Sequence, residues 1–182
     1  GDLDGDGDVD LAAANDSKNV SLYLNQGTGN FPEVMRCPAG KGPSGVHTAD
    51  LDSDGDIDIA TSNSSDGSVS VLIANGAGSY ASQVAYPIGL HPEDICSADF
   101  DGDGDTDLAV AMYNEPGTVS VLLNCGGGAL AAAASYGAGA RPHAICSADF
   151  DGDGDADLAT ANETSDNVSI VSNNGDGTFA GA

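Results

Sequence analysis

Short hydrophobic segments separated by polar turns run along the whole chain. The clearest of them alternate hydrophobic residues with serine and are rich in valine, isoleucine and leucine, at residues 20–24, 69–73, 119–123 and 168–171. A period of two with many β-branched residues predicts β-strands. A second apolar segment precedes each of these, at residues 11–14, 57–62, 108–112 and 158–161. The pattern therefore predicts a series of short antiparallel strands.

The rest of each unit repeats as well. A Gly-rich turn follows the alternating segment, and an aromatic or apolar residue is then expected to open a weaker strand, at Phe31, Tyr80, Leu130 and Phe179. A Gly-x-x-Pro segment leads into a fourth strand, at residues 45–49, 94–98 and 143–148. Four short antiparallel strands in roughly 50 residues are the composition of a β-propeller blade.

The fold class predicted from these repeats is all-β, with β-propeller-type four-stranded antiparallel blades. About 3.5 blades are expected in a single repeat domain, with units at approximately residues 1–44, 45–93, 94–142 and 143–182. The first unit lacks a strand ahead of its acidic loop, and the last lacks a final Gly-x-x-Pro segment. Because exposed strand edges are normally closed or paired, two interpretations stay open. The chain is a piece of a longer ring, or neighbouring chains complete its open blade ends head to tail.

An acidic segment precedes the first apolar segment of every unit. The four copies begin at Asp2, Asp50, Asp99 and Asp149, which are 48, 49 and 50 residues apart. Gly at position 6 permits a sharp turn. The candidate metal ligands at positions 1, 3, 5 and 9 are Asp2, Asp4, Asp6, Asp10, Asp50, Asp52, Asp54, Asp58, Asp99, Asp101, Asp103, Asp107, Asp149, Asp151, Asp153 and Asp157. At position 7 the backbone carbonyl is the expected ligand, at Asp8, Asp56, Asp105 and Asp155.

These loops predict calcium sites. Several hard oxygen donors in a flexible loop suit Ca²⁺, whereas Mg²⁺ takes fewer protein ligands in a stricter octahedral geometry. Two carboxylates about 4 Å apart repel each other by roughly 4 kcal/mol at an effective dielectric constant near 20, so the loops need a cation. An EF-hand is rejected because it requires Glu at position 12 and a following helix, and position 12 is Ala13, Thr61, Val110 or Thr160. About four structural Ca²⁺ ions are expected.

The combined motifs resemble the FG-GAP/VCBS repeat family. They are the Asp-x-Asp-Gly-Asp-Gly-x-x-Asp-Leu-Ala loop, the Val-Ser-Val-Leu-x-Asn-x-Gly-x-Gly-x-Phe segment and the Tyr-x-x-Gly-x-x-Pro segment, and they cover essentially the whole chain. The resemblance implies a β-propeller with calcium between the first two strands of each blade. It also implies a secreted or cell-surface location and an adhesive or ligand-binding role, as in the integrin α-subunit head and certain fungal lectins.

Composition excludes several partners. The chain has 29 acidic and 4 basic residues and a formal net charge of −25, which repels nucleic-acid phosphates and anionic membrane surfaces. The longest purely apolar run, residues 129–134, is too short to cross a bilayer. We therefore expect neither nucleic-acid binding nor membrane insertion.

No residue pattern indicates catalysis. His47, His91 and His143 belong to no recurring constellation, and no nucleophile elbow, P-loop or HExxH motif occurs, so the protein is not expected to be an enzyme. The four cysteines are interpreted as packing substitutions within the repeats, with a disulfide among them left open. Glycosylation is also left open at the five sequons, Asn15, Asn19, Asn63, Asn162 and Asn167.

The sequence predicts a calcium-stabilised extracellular repeat module for adhesion, ligand binding or assembly. Its expected partners are a protein or carbohydrate ligand, or further copies of the chain through self-association at the open blade ends. A structural subunit of a calcium-cemented fibre or oligomer is one alternative. A carbohydrate-binding lectin is another, although a sugar site favours aromatic platforms, and aromatic residues make up only 5% of the chain, with no Trp.

Overall fold

The computed structural model describes residues 1–15 and 17–182, and the fold in these residues is all-β. Fourteen strands form four separate antiparallel sheets, and no helix occurs in the described residues. The first sheet contains β1 (Leu11–Asn15), β2 (Asn19–Leu24) and β3 (Glu33–Pro38). The second contains β4 (Pro43–Ala49), β5 (Asp58–Asn63), β6 (Ser68–Leu72) and β7 (Val84–Pro87).

The other two sheets repeat this order. The third contains β8 (Pro92–Ala98), β9 (Asp107–Met112), β10 (Thr118–Leu122) and β11 (Ala134–Gly137). The fourth contains β12 (Pro142–Ala148), β13 (Asp157–Asn162) and β14 (Asn167–Val171). Each sheet is a simple meander, so each consecutive pair of its strands is hydrogen-bonded. These sheets of three or four strands are the expected propeller-type blades, and the predicted fold class is confirmed.

Neighbouring sheets meet most closely at their first strands, where β4 contacts β8 and β8 contacts β12. Side chains fasten these strands to one another. Ser44 Oγ donates to the carbonyl oxygen of Pro92 at 2.8 Å, and Ser147 Oγ donates to that of Ser97 at 2.9 Å. The sheets are therefore arranged side by side with their first strands converging, as blades are around a propeller axis.

Three hydrophobic cores lie between the four sheets, one for each pair of neighbours. The alternation along β6 shows how one strand serves two cores. Val69 and Val71 pack toward the third sheet, where they meet Leu108, and Leu72 packs toward the first sheet, where it meets Leu22. Strands β5 and β9 are buried along their whole length. A strand covered on both faces needs no polar side, which explains the continuous apolar segment at residues 108–112 in β9.

One expectation about the strands is wrong. Tyr80, Leu130 and Phe179 do not open strands but make isolated bridges, to Ala74, Asn124 and Asn173. Pairing resumes only at β7 and β11, with Val71 opposite Val84, which is one residue out of register with the Ala74–Tyr80 bridge. An extra residue of this kind is a β-bulge. Likewise, β3 begins at Glu33, after Phe31.

The residues that form these bridges belong to the cores instead. Phe179 packs edge-on against Phe100, with ring centroids 5.5 Å apart, and Leu130 joins the core between the second and third sheets. The hydroxyl of Tyr80 donates to the carbonyl oxygens of Ile57, at 3.2 Å, and Leu3, at 3.4 Å. The aromatic or apolar residue thus closes the Gly-rich turn and fills the space between two sheets.

Candidate metal centres

The four acidic loops occupy equivalent places in the fold. Three of them connect the first two strands of a sheet, between β4 and β5, β8 and β9, and β12 and β13, and the fourth leads into β1. The strand that follows each acidic loop runs in the same direction in every sheet. All four loops therefore lie at the same end of the sheets. The Gly-rich turns that follow β2, β6, β10 and β14 lie at this end as well.

The aspartate at position 1 folds its loop back on itself. Asp99 accepts hydrogen bonds from the backbone amides of Gly102, at 2.8 Å, and Gly104, at 3.0 Å. Asp2 and Asp149 accept the equivalent pairs of bonds. Gly104 has a φ of 93°, which only glycine adopts without strain, and this is the reason for Gly at position 6. Position 1 therefore fixes the curvature of the loop and points its carboxylate inward.

Positions 3 and 5 form consecutive Asx turns. Asp101 accepts from the amide of Asp103 at 3.3 Å, and Asp103 accepts from the amide of Asp105 at 2.9 Å. The other three loops make the same two bonds. Each bond uses one carboxylate oxygen and leaves the other available to a cation, as this turn chemistry allows.

The aspartate at position 9 ties the loop to its sheet. Asp107 is buried, with one carboxylate oxygen accepting from the amide of Phe100 at 2.8 Å and the other from the amide of Asn124 at 2.6 Å. Its burial raises its pKa to about 6, against the effect of those two bonds. The equivalent residues Asp10, Asp58 and Asp157 accept matching pairs of bonds. The buried aspartate at position 9 thus connects the second residue of the loop to the end of the third strand of the repeat through two hydrogen bonds.

Position 7 points elsewhere. A methyl group placed on Gly76, in the Gly-rich turn, would lie 3.2 Å from Asp56 Oδ2, and one placed on Gly27 would lie 3.0 Å from Asp8 Oδ2. The position-7 carboxylate therefore packs against the neighbouring turn, which needs glycine to make room for it. That position 7 offers its backbone carbonyl to a metal stays a prediction.

Within each of the four loops, the structure brings three carboxylates together. Three oxygens, one from each of three residues, lie within 4.8 Å of one another in each group: Asp2, Asp4 and Asp6; Asp50, Asp52 and Asp58; Asp99, Asp101 and Asp107; Asp149, Asp151 and Asp157. Position 5 belongs to this group only in the first loop, and position 9 belongs to it in the other three. The groups have the acidic, all-oxygen donor set that Ca²⁺ prefers.

Nothing within the described chain neutralises these groups. The two ion pairs found there, Lys41–Asp66 and Arg141–Glu115, both lie outside the loops. Desolvation, followed by the charges of neighbouring aspartates, raises the pKa of Asp52 and Asp101. A bound divalent cation would remove the repulsion that contributes to these shifts.

The second loop supplies a sharper indication. Asp50 Oδ1 is buried and has no hydrogen-bond partner in the described structure. In the other loops the same oxygen accepts from the glycine amide at position 4, but position 4 here is Ser53, whose φ is 64°. An unpaired buried carboxylate oxygen is unfavourable, and a cation held by Asp50, Asp52 and Asp58 would satisfy it. The residues present therefore fit a hard divalent cation.

One part of the site was missed by the sequence analysis. Asn124 donates from Nδ2 to the carbonyl oxygens of Leu51, at 2.7 Å, and Thr106, at 3.0 Å. Asn173 makes the same two bonds, to Phe100 and Ala156. Each asparagine thereby joins its own acidic loop to the loop of the preceding sheet. The recurring Asn after the alternating segment was the available signal.

The remaining candidate residues do not gather into a site. His47 Nε2 lies 2.9 Å from Ser97 Oγ. The ring of His143 packs edge-on against the ring of Tyr113, with the ring centroids 6.0 Å apart. All four cysteines are free thiols, two of them buried. Asn63 and Asn162 are buried and hydrogen-bonded to neighbouring side chains, so these two sequons are unsuited to glycans.

Comparisons with known proteins agree with this architecture. A family model described as FG-GAP-like repeat matches residues 2–61, 50–110 and 99–160. A second model, described as FG-GAP repeat, matches residues 142–181. No curated protein matches the chain significantly. The described residues include no helix long and apolar enough to cross a membrane.

Two solved structures share the fold. One is an Agrocybe aegerita lectin that recognises non-reducing terminal N-acetylglucosamine, with a TM-score of 0.64, 23% identity and coverage of 98% of this chain and 49% of the lectin. The other is BBS1N in complex with ARL6DN, with a TM-score of 0.65, 12% identity and coverage of 100% of this chain and 53% of that one. The chain thus spans about half the length of these structures. Because the repeat matches extend over almost all of its residues, the chain belongs to the FG-GAP repeat family.

Proposed function

We propose that this protein is a calcium-stabilised extracellular repeat module that serves adhesion, ligand binding or assembly and has no catalytic role. The observation that supports the proposal is that a cluster of three aspartate carboxylates recurs at the same end of all four sheets. An extracellular location suits such sites, because calcium-binding modules outside cells work at dissociation constants of about 10⁻⁴ to 10⁻³ M. FG-GAP repeat membership supports this location.

Calcium acts in this proposal as a structural ion. In each loop, side-chain oxygens from positions 1, 3, 5 and 9 and the carbonyl of position 7 would hold one ion. Position 9 reaches both the loop and the end of the third strand, as the two amide bonds of Asp107 illustrate. An ion bound beside it therefore stabilises the loop together with its sheet. About four ions at +2 each would change the net charge from −25 to about −17.

Isothermal titration of the metal-free chain with CaCl₂ tests this role, with about four sites expected. The variant Asp101→Asn should lose about one site and part of the calcium-induced rise in melting temperature. Asp66→Asn is the matched control, because it makes the same charge change in a residue that pairs with Lys41 outside the loops. Equal calcium binding by both variants, or melting unaffected by thorough chelation, would overturn the proposal.

Carbohydrate binding is a second candidate ligand-binding role, favoured by the shared fold of the Agrocybe aegerita lectin. Between the third and fourth sheets, the half-buried Tyr113 bonds through its hydroxyl to Glu163. Arg141 lies 5.5 Å above its ring, and His143 packs against it. Both neighbours would have to move before a sugar could stack on this ring. A glycan array probed with and without Ca²⁺ tests the candidate, and binding to no glycan would reject it.

Assembly is the remaining candidate role, with the chain acting as a structural subunit of a calcium-cemented fibre or oligomer. In this role, as in the others, we treat residues 1–182 as one repeat domain with units near 1–44, 45–93, 94–142 and 143–182. The observation behind this role is the exposure of large apolar side chains on the first and fourth sheets, among them Leu11 at 53% and Val168 at 65%. Electron microscopy with and without a chelator tests it, and the absence of calcium-dependent particles larger than one chain would count against it.

A further inference from the structure

The Gly-rich turns contain two Asn-Gly pairs at equivalent positions of the repeat. One is Asn75–Gly76, after β6, and the other is Asn174–Gly175, after β14. An asparagine that precedes glycine is prone to deamidation, because glycine has no side chain to hinder the attack of its own amide nitrogen on the asparagine side chain. Both asparagines are exposed, so exposure alone does not distinguish the two pairs.

Two hydrogen bonds restrain the pair in the fourth sheet. Asn174 Nδ2 donates to Thr178 Oγ1 at 3.0 Å, and the amide of Gly175 donates to Asn173 Oδ1 at 3.0 Å. Deamidation requires the glycine nitrogen to lose its proton and to approach the asparagine Cγ atom. Both bonds oppose this step, because one holds the leaving nitrogen and the other occupies the attacking N–H group.

The pair in the second sheet has neither restraint. Among the described residues, the structure gives the Gly76 amide no acceptor and the Asn75 side chain no partner. Ser79 is the counterpart of Thr178 in this turn, but its hydroxyl donates to the carbonyl oxygen of Gly76, at 2.9 Å. The attacking nitrogen and the side chain that it attacks are therefore both free to move.

The missing acceptor results from a difference within the repeat. This turn has Ala74 where the fourth sheet has Asn173, whose Nδ2 bonds to two backbone carbonyl oxygens. In the second sheet the hydroxyl of Tyr80 donates to the equivalent carbonyl oxygens, those of Leu3 and Ile57. Tyr80 thus replaces the asparagine as a donor but supplies no acceptor for the glycine amide.

We propose that Asn75 is a site of spontaneous deamidation in the folded protein, whereas Asn174 is protected. The Gly76 nitrogen forms a bond to Asn75 Cγ and the Cγ–Nδ2 bond breaks, so ammonia leaves with the proton of the Gly76 amide. Water then adds to either carbonyl of the resulting succinimide ring and opens it. The products are aspartate and isoaspartate at position 75, and this modification is independent of the function proposed above.

The modification would add a negative charge beside the second acidic loop. A methyl group placed on Gly76 would lie 3.2 Å from Asp56 Oδ2, and the amide of Ala74 donates to Asp58 at 2.7 Å. Isoaspartate would also lengthen the backbone at residue 75, directly after this second bond. Deamidation would therefore change both the charge and the backbone of the turn that is bonded to Asp58.

Incubation of the calcium-saturated chain at mildly alkaline pH, followed by peptide mass spectrometry, tests the proposal. Deamidation of Asn75 should be at least about tenfold faster than that of Asn174, since two hydrogen bonds oppose the reaction at Asn174. In urea with a chelator the two rates should become similar, because the unfolded chain has neither bond. Equal rates in the folded protein, or a faster reaction at Asn174, would overturn the proposal.

A double variant supplies the missing acceptor. Ala74→Asn with Tyr80→Phe reproduces the combination of Asn173 and Phe179 in the fourth sheet, and it should slow deamidation of Asn75 by about tenfold. Tyr80→Phe alone is the matched control, because it lacks the acceptor and should deamidate at least as fast as the wild type. Circular dichroism shows whether each variant is folded. An unchanged rate at Asn75 in the folded double variant would also overturn the proposal, and the wild-type comparison decides if that variant does not fold.

Discussion

Asn124 donates a hydrogen bond from Nδ2 to the carbonyl oxygen of Leu51, 2.7 Å away in the preceding sheet. Leu51 is the second residue of an acidic loop, and its own amide donates to Asp58 at 2.7 Å. One peptide segment is thus held through its amide by the position-9 aspartate and through its carbonyl by the next sheet. The order of a loop and the docking of its neighbouring sheet are therefore coupled.

Replacing this asparagine should destabilise the fold. Asn124→Ala leaves the carbonyl oxygens of Leu51 and Thr106 without their partner, which should lower the free energy of unfolding by about 1–3 kcal/mol. Urea denaturation at saturating Ca²⁺ measures it. Asn174→Ala is the control, because the exposed Asn174 side chain bonds only to Thr178 within its own turn. Equal losses in the two variants would contradict the coupling.

The position-5 and position-9 aspartates should separate into two roles. Asp107→Asn presents an NH₂ group to one of the two backbone amides it now binds, so it should cost about 1–3 kcal/mol of stability with or without Ca²⁺. Asp103→Asn, in the exposed part of the loop, should weaken calcium binding and leave the chelated protein unchanged. Melting curves in CaCl₂ and in EDTA measure both. Identical behaviour of the two variants would show that position 9 is not a structural clamp.

Acid should destabilise the protein partly through His47. Desolvation lowers the pKa of His47 below its ordinary value of 6.5, with Asp94 opposing the shift. The unfolded chain therefore gains a proton near pH 6.5 and the folded chain only at lower pH. The stability contributed by the neutral ring is complete above the unfolded pKa and is lost as the pH falls through the folded pKa.

The variant His47→Gln isolates this effect. Its free energy of unfolding should fall less steeply than that of the wild type between about pH 7 and about pH 5, in calcium-saturated protein. Ser97→Ala serves as the control, because it removes the hydrogen-bond partner of His47 and keeps the titrating ring. Parallel curves for the wild type and His47→Gln would contradict the prediction.

Glycosylation should follow side-chain exposure among the sequons. Asn63 Nδ2 donates to Ser68 Oγ at 3.2 Å and Ser70 Oγ at 3.0 Å in a buried site, whereas Asn167 is exposed. In a eukaryotic secretory host, Asn167 should carry a glycan and Asn63 should not. Peptide mass spectrometry with and without glycosidase decides this, and a fully occupied Asn63 would contradict it.

The repeat made much of this structure predictable. Four copies of one pattern located the strands, the acidic loops and the residues at positions 1 and 3, because those features depend on local turn chemistry. The one-residue change of register between the Ala74–Tyr80 bridge and the Val71–Val84 pair was not predictable, since no residue pattern marks it. The bond from Asn124 to Leu51 joins residues 73 positions apart, a relationship that no local pattern contains. The exposure of Val168 was not predictable either, since Val119 has a similar sequence context and is fully buried.

The placement of all four acidic loops at one end gives the molecule an electrical polarity. Three of the four basic residues, Lys18, Lys41 and Arg141, lie in turns at the opposite end. Without metal, the chain therefore has a dipole moment along its strands, and this dipole shrinks as cations enter the loops. Metal binding would thus change the end of the molecule that first approaches a charged surface. It would also change the strength of the attraction.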